Sequence, residues 1–252
     1  MHKTDCAACE ISCPFGSLSI HERSQLNSLM RYQSYAKGEP IFAQGSTISG
    51  CYVLCQGKVQ LAHRTRDGYK QIVKFLRDGE CFGEEGFWQA SPSSVSAQAL
   101  ADSVVGWLSS ADFQELSRRN SSLALEIQKR LAGEVKELRV RLAEQAYLGT
   151  RERLIKLIVE LGERYGHRSD HGLIIDLELT ERELAGMLGN TPAWICKQLR
   201  VLWKQGLVAY RRGELMILDE ASLRQRVTPP RERKVPFRSG KQAMIELVQR
   251  LN

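Results

Sequence analysis

The stretch LTERELAGMLGNTPAWICKQL, residues 179–199, has the pattern of two short helices joined at Gly189. Thr180, followed three residues later by Glu183, fits a capping box, in which each side chain satisfies a backbone N–H of the other residue. Gly189 favours a tight turn because glycine adopts left-handed backbone conformations without a steric penalty. Pro192 suits the first turn of the second helix. The stretch therefore predicts a helix-turn-helix.

The flanking segments complete a larger pattern. Upstream, TRERLIKLIVELGERYG (150–166) predicts a helix that ends at Gly166, followed by a polar loop and the alternating strand LIIDLEL. Downstream, GLVAYRRGELMIL (206–218) predicts a β-hairpin with Arg211, Arg212 and Gly213 at its tip. Helix, turn, helix and basic hairpin are typical of a winged helix-turn-helix. We place this domain at residues 148–225, before a basic tail at 226–252.

Residues 17–116 have a different sequence pattern from the winged helix-turn-helix. Glycines separate short apolar runs such as CYVLC, KVQLAH and QIVKFL, and Asp67-Gly68 lies between two such runs as a tight-turn signal. Short strands punctuated in this way predict an antiparallel β-roll. Residues 1–16 are polar and carry three cysteines, and we interpret them as an N-terminal arm. The chain as a whole is predicted to be α+β.

A long helix is predicted between the roll and the winged helix, at residues 117–147. The segment contains no proline, and one apolar stripe recurs every three or four residues. Such a narrow stripe resembles the seam between two paired helices, although a helix lying on the core of its own domain remains the alternative. We predict that the stripe forms a homodimer interface. Its candidate residues are Ile127, Leu131, Val135, Leu138 and Leu142.

Composition and charge narrow the class of protein. The 252 residues carry a net charge of +7, which favours a polyanionic partner. No apolar run is long enough to span a membrane, and the first residues lack the apolar segment of a signal peptide. We therefore expect a cytoplasmic protein without a membrane partner, in which the seven cysteines stay reduced. No phosphate-binding glycine loop or Ser-His-Asp grouping is visible, so we do not expect an enzyme.

The order of roll, long helix and winged helix resembles the CRP/FNR family of transcription regulators. The resemblance spans roughly residues 13–223 and is carried by KGEPIFAQGS, CYVLCQGKVQL, GECFGEEGFW, LAGEVKEL and LTERELAGMLG. It implies a dimer paired along the long helix. It also implies that each subunit places its recognition helix in a major groove of pseudo-palindromic double-stranded DNA near a promoter. RNA polymerase is the further partner that such a regulator implies.

The resemblance also bears on the ligand of the roll. Members that bind cyclic nucleotides carry Gly-Glu followed about ten residues later by Arg-Ser or Arg-Thr, because a buried phosphate needs a cation. Gly83 and Glu84 match the first pair, but the second place reads SPSSVSA, and no arginine occurs between Arg77 and Arg118. We therefore do not expect cyclic AMP as the ligand.

The other branch of the family holds an iron–sulfur cluster through three N-terminal cysteines and a fourth in the roll. Cys6, Cys9 and Cys13 match the first three, and Pro14-Phe15 resembles the pair of residues after the third cysteine in that branch. Thiolates at this spacing can converge on one soft-metal site. The resemblance implies a cluster of the 4Fe–4S type that responds to oxygen, nitric oxide or redox state.

Two features depart from that branch and leave alternatives open. The second and third cysteines are closer together than in its best-known member, and Gly106 stands where the fourth cysteine is expected. Zinc suits the same sulfur donors, and a cluster-free regulator with a small organic effector in the roll is the alternative function. Candidates for the fourth ligand are Cys81, Cys51, Cys55 and a carboxylate such as Asp5 or Glu10. Cys81 is preferred because it lies next to the loops that the family uses for ligands.

The recognition helix carries an unusual set of side chains for this family. Where members have glutamate, serine and arginine, the corresponding residues are Ala193, Cys196 and Lys197. Lysine can still read guanine, but it lacks the planar fork of arginine, so we expect a different half-site. The candidate DNA-binding residues are Thr191, Pro192, Ala193, Trp194, Cys196 and Lys197 on the helix, and Arg211 and Arg212 on the wing.

Overall fold

The computed structural model describes Phe15 and residues 19–87 and 90–227. The chain divides into two compact units. The first is drawn from residues 1–143 and 179–198, and the second from residues 144–178 and 199–252. Cys6, Cys9 and Cys13 of the arm lie outside the described residues, as does the basic tail from residue 228 onward.

The first unit contains the predicted β-roll, preceded by helix α1 (Ile20–Leu29). One antiparallel sheet has the strand order β1-β10-β4-β7, a second has the order β2-β9-β5-β6, and β3 pairs with β8. The strand bounds are β1 (Arg31–Tyr35), β2 (Pro40–Phe42), β3 (Thr47–Ile48), β4 (Gly50–Gln56), β5 (Val59–Arg64), β6 (Lys70–Leu76), β7 (Cys81–Phe82), β8 (Ser91–Pro92), β9 (Ser96–Ala99) and β10 (Ser103–Ser109).

Each face of the first sheet borders a separate apolar core. Alternate residues along a strand point to opposite faces, and on β4 this sends Leu54 towards the second sheet and Val53 towards the helices. The core on the helix side, here called the helix-side core, also contains Phe15 from the end of the arm, together with Cys51 and Cys81. Phe15, two residues after Cys13 in the sequence, is thus buried in the core of the roll.

The predicted long helix begins later than its pattern indicates. Residues 117–119 belong to helix α2 (Ser110–Arg119), and α3 runs from Ser121 to Tyr147. The break falls at Asn120, whose extended backbone ends α2 and whose side-chain Oδ1 accepts a hydrogen bond from Leu123 N at 3.2 Å. Asparagine favours this capping role, and it explains why one apolar pattern is divided between two helices.

The second unit is built on helix α4 (Thr150–Tyr165), which ends at Gly166 as predicted. The segment expected to be a polar loop instead contains strand β11 (Gly166–Ser169), which pairs with β12 (Gly172–Ile175). Its polar side chains are exposed on an edge strand, so they gave no alternating pattern in the sequence. Strands β13 (Val208–Arg211) and β14 (Glu214–Ile217) complete the sheet β11-β12-β14-β13, and α7 (Glu220–Arg226) follows.

The helix-turn-helix has the local structure that its sequence predicts. Helix α5 runs from Glu181 to Leu188, and both hydrogen bonds of the Thr180–Glu183 capping box are present. Gly189 adopts a left-handed conformation with φ +65°, and helix α6 follows at Pro192–Lys204. Among the described residues, no helix is both long and apolar enough to cross a membrane.

Candidate DNA-binding and sensing sites

Helix α6 presents one exposed polar face beside a buried one. Ile195, Leu199 and Leu202 are buried, whereas the leading residues of the helix and its charged residues are exposed. The Thr191 Oγ1 accepts a hydrogen bond from Trp194 N at 3.3 Å, so Thr191 caps the helix. The face available to DNA, here called the reading face, consists of Thr191, Pro192, Ala193, Lys197 and Arg200, all exposed, with the half-buried Cys196 between them.

Arg200 also belongs to the reading face, although the family's pattern of glutamate, serine and arginine does not include its position. It is exposed and lies three residues after Lys197 and seven after Ala193, which places all three on one side of the helix. The helical spacing alone could have identified it. Trp194 was predicted in the site, but it is half-buried, so part of its ring is packed within the protein.

The predicted wing is a tight hairpin in the second unit. Arg211 pairs with Glu214, and the two turn residues Arg212 and Gly213 have φ values of +52° and +88°. Positive φ at both central positions is characteristic of the turn that suits two-residue hairpins. Arg211 and Arg212 are both exposed at this tip, where guanidinium groups can reach phosphates.

The predicted dimerisation stripe on α3 is buried at its beginning and exposed towards its end. Ile127 is 1% exposed and belongs to the helix-side core, so it is not available to a second chain, and Leu131 packs partly against the same core. Val135, Leu138 and Leu142 are exposed, the last by 70%. The stripe that a partner could cover is therefore shorter than predicted, because its first turns are already buried by the roll of the same chain.

The described cysteines of the roll are buried thiols. Cys51 and Cys81 lie in the helix-side core, while the Cys55 Sγ donates to Val53 O at 3.7 Å. Burial, together with the nearby carboxylate of Glu84, raises the pKa of the Cys51 thiol well above its usual range. Within the described residues, no three His, Cys, Asp or Glu side chains are grouped so that they could hold a metal ion.

The position of Gly106 is closely packed. A Cβ added there would lie 2.3 Å from the Met30 Cε and 3.2 Å from the Tyr32 ring. In the sheet, Gly106 pairs with Val53, and Val53 pairs with Cys81. Since directly paired residues share a face, Cys81 lies on the same face as Gly106, two strands and about 10 Å away.

A group of charged side chains connects α3 to the loop after β7. The guanidinium of Arg130 donates to Cys81 O at 2.5 Å and to the Glu84 carboxylate at 2.8 Å. Glu134 lies 3.4 Å from Arg130 and 3.4 Å from Lys74 on β6. Burial raises the pKa of Glu84, and the charge of Arg130 opposes that shift. The Glu84 carboxylate thus already has a cationic partner within the chain.

Two family models match this chain in the order that the fold suggests. A cyclic nucleotide-binding domain matches residues 32–120, and a Crp-like helix-turn-helix domain matches residues 152–226. The chain belongs to the CRP/FNR family of DNA-binding transcription regulators. The first model covers the roll and the second covers the winged helix, so the membership rests on both units of the chain.

Known members of the CRP/FNR family align over nearly the whole chain. Electron transport regulator A from Shewanella oneidensis is 27% identical over 88% of this chain and 89% of its own length. The fumarate and nitrate reduction regulatory protein of Escherichia coli K12 is 25% identical over 89% of this chain and 90% of its own. A solved CooA mutant from Carboxydothermus hydrogenoformans shares the fold, with a TM-score of 0.66 at 20% identity, covering 79% of this chain and 88% of its own.

Proposed function

We propose that this regulator senses oxygen, nitric oxide or redox state through an iron–sulfur cluster held by Cys6, Cys9 and Cys13. The observation that carries the proposal is the burial of Phe15 in the helix-side core, in the same cluster as Cys51, Cys81 and the start of α3. Cys13 is two residues before Phe15 in the sequence, a separation of at most about 7 Å, so the proposal assigns the cluster to this side of the roll. Two relatives are named for electron transport and for fumarate and nitrate reduction, which agrees with a respiratory signal.

An iron–sulfur cluster of this type is held by four ligands, and the arm offers three cysteine thiolates. The roll would therefore have to supply the fourth thiolate. Met30 and Tyr32 occupy the space beside Gly106, and Cys81 is the buried cysteine on the same face and in the same row of paired residues. We propose Cys81 as the fourth ligand, with Cys51, two residues before Val53 on that face, as the second choice. When bound, the cluster would supply a link that oxygen or nitric oxide can break.

Contacts in the helix-side core support a route from the arm to α3. Phe15 shares the helix-side core with Leu123 and Ile127 of α3. Arg130, one turn further along, holds the carbonyl of Cys81. A shift of the arm or of Cys81 therefore bears directly on the helix that we propose as the dimer interface. A coupling of about 1–3 kcal/mol would be sufficient for a useful switch.

The sensing proposal is tested by anaerobic purification, followed by visible absorption and by iron and sulfide analysis before and after air is admitted. We expect a brown protein with bound iron and sulfide that bleaches in air. Cys13→Ser and Cys81→Ser should lose the absorption, while Cys196→Ser, a matched change outside the roll, should retain it. A colourless anaerobic preparation without iron or sulfide, even after reconstitution, would reject the cluster.

We further propose that the protein binds pseudo-palindromic DNA as a homodimer and contacts RNA polymerase at promoters. The reading face would enter the major groove, and Arg211 and Arg212 would contact phosphates. Selection from random 30-base-pair duplexes tests this proposal, and a two-fold symmetric site that differs from the family's common half-sites is expected because Ala193 and Lys197 replace glutamate and arginine. Enrichment of no sequence would reject site-specific reading.

A cavity of about 380 Å³ supports the second candidate function, a cluster-free regulator with an organic effector. Its walls include Tyr32, Tyr52 and Trp107, and Arg31 lies 5.3 Å from the centre of the Trp107 ring. Aromatic walls with one cation suit a small organic anion. Anaerobic purification with visible absorption separates the two candidate functions, because a cluster-free regulator should be colourless and should bind DNA in air. In neither case do we propose a cyclic nucleotide, because the stretch SPSSVSA (91–97) offers no arginine to pair with a buried phosphate.

A further inference from the structure

The hairpin between β5 and β6 has a rigid tip. Thr65 and Tyr69 are joined by two backbone-directed bonds, from Thr65 N to Tyr69 O at 2.9 Å and from Tyr69 N to the Thr65 Oγ1 at 3.1 Å. Gly68 takes the left-handed conformation that the turn requires, with φ +80°. These hydrogen bonds fix the backbone of Tyr69 at the end of the β5–β6 hairpin of the roll, and so determine where its side chain begins.

The side chain of Tyr69 reaches the turn of the helix-turn-helix. Its hydroxyl donates to Ala185 O at 2.9 Å and lies 3.3 Å from Asn190 O. A phenol has one hydrogen, so the shorter contact is the stronger of the two. Ala185 O also accepts from Asn190 N at 3.0 Å, the bond that closes the turn around Gly189. The hydroxyl thus meets both ends of the segment that sets the direction of α6.

Two further contacts seat α5 on β6. A Cβ added to Gly186 would lie 2.7 Å from Lys70 O and 3.6 Å from Ile72 N, so a glycine is what allows this close approach. Lys70 is half-buried, and burial lowers the pKa of its ammonium group, a shift that the carboxylate of Glu183 on α5 opposes. A glycine inside a helix lowers the stability of the helix by about 1 kcal/mol relative to alanine. At Gly186 the glycine is needed because a larger residue would collide with the backbone of β6.

The docking leaves the DNA-facing side of α6 uncovered. Thr191, Pro192, Ala193 and Lys197 of the reading face are all exposed while Tyr69 holds the turn behind them. The contact therefore does not cover the reading face.

We propose that Tyr69 is a positioning residue for DNA reading, which holds the turn between α5 and α6 so that the reading face meets the groove at a fixed angle. The inference rests on the DNA-reading part of the proposed function. It assigns a role in site recognition to a residue of the roll that would itself touch no base and no phosphate.

The proposal is tested by measuring DNA-binding affinity with fluorescence anisotropy over a range of KCl concentrations. Two duplexes are compared: one selected by the wild-type protein, and a shuffled duplex of the same composition. Tyr69→Phe removes only the hydroxyl and should weaken binding to the selected duplex about three- to tenfold. Binding to the shuffled duplex, and the dependence on salt, should not change, because no phosphate contact is lost. Gly186→Ala should act in the same direction by displacing α5 from β6.

Matched controls separate positioning from a general effect on the fold. Tyr147→Phe removes the hydroxyl of an exposed tyrosine at the end of α3, and Gly133→Ala adds a methyl group where no atom lies within 4 Å; both should bind like wild type. An unchanged preference in Tyr69→Phe would overturn the inference, as would tighter binding, which would mark the contact as inhibitory. A reduced salt dependence would make the hairpin a phosphate contact instead. If wild type selects no duplex at all, the DNA-reading proposal itself is rejected and the inference with it.

Discussion

The two halves of helix α3 have the same apolar repeat but different surroundings. In the first half, Leu123 and Ile127 are buried in the helix-side core, and in the second half Leu138 and Leu142 are exposed by 60% and 70%. The apolar face of α3 thus packs against the roll of its own chain in the first half and, as we propose, against a second copy of the chain in the second half. A periodic stripe identifies a face that will be covered, but not what covers it.

The largest effect is expected in the first half. Ile127→Ala should lower the free energy of unfolding by about 2–4 kcal/mol, because it leaves a cavity in a packed core. Urea denaturation at two protein concentrations measures this loss, which should not depend on concentration if the residue serves only its own chain. A loss that appears only under dimeric conditions would contradict the comparison and assign Ile127 to the interface.

Arg130, at the boundary between the halves, should have the next largest effect. Arg130→Ala leaves the largely buried carboxylate of Glu84 without its cation and Cys81 O without its donor, at a cost of about 2–3 kcal/mol in stability. The double variant with Glu84→Gln should recover part of that loss, because it removes the unpaired charge. Thermal unfolding of the two variants measures the difference, and equal stabilities would show that the unpaired carboxylate of Glu84 does not destabilise the protein.

In the second half, truncation should affect association more than folding. Leu138→Ala should weaken the dimer about thirtyfold, since each subunit loses about 1 kcal/mol of apolar burial. Sedimentation equilibrium measures the dissociation constant. Leu125→Ala is the matched control, because Leu125 is 50% exposed in the first half and lies off the stripe. Equal effects of the two variants would remove the evidence for a seam in the second half.

The smallest effect, and the opposite sign, is expected at Gly133. Its added Cβ would meet no atom within 4 Å, so Gly133→Ala should stabilise the helix by about 0.5–1 kcal/mol through helix propensity alone. Chemical denaturation of the variant measures the gain. A loss of stability that grows with protein concentration would instead place this position within the contact between subunits.

Local features were predictable from the sequence, and features that depend on distant residues were not. The Thr180–Glu183 capping box, the turn at Gly189 and the wing tip at Arg212 involve neighbours in the chain, and all three have the expected structure. Arg130 meets Glu84 from 46 residues away and Tyr69 meets Ala185 from 116 residues away. No periodicity or motif encodes such pairs, because they depend on how strands and helices pack.

The candidate sites show the same limit. The reading face of α6 follows from helical spacing once the helix is located, and Arg200 could have been included on that ground. The sequence favoured Cys81 over Cys51 and Cys55 only because it lies next to the loops that the family uses for ligands. That Cys81 shares a row of paired residues with Gly106 could not be predicted, because it depends on which strands pair in the sheet. The arm cysteines themselves remain a prediction from spacing and resemblance, since they lie outside the described residues.

The packing around Gly106 also sets what a cysteine at this position would require. Its Cβ would lie 2.3 Å from the Met30 Cε, the free end of a flexible side chain, so Gly106→Cys would require Met30 to turn aside. Met30 would then give up its present packing in the helix-side core. A thiol in this strand is therefore coupled to the conformation of a methionine that closes the end of helix α1.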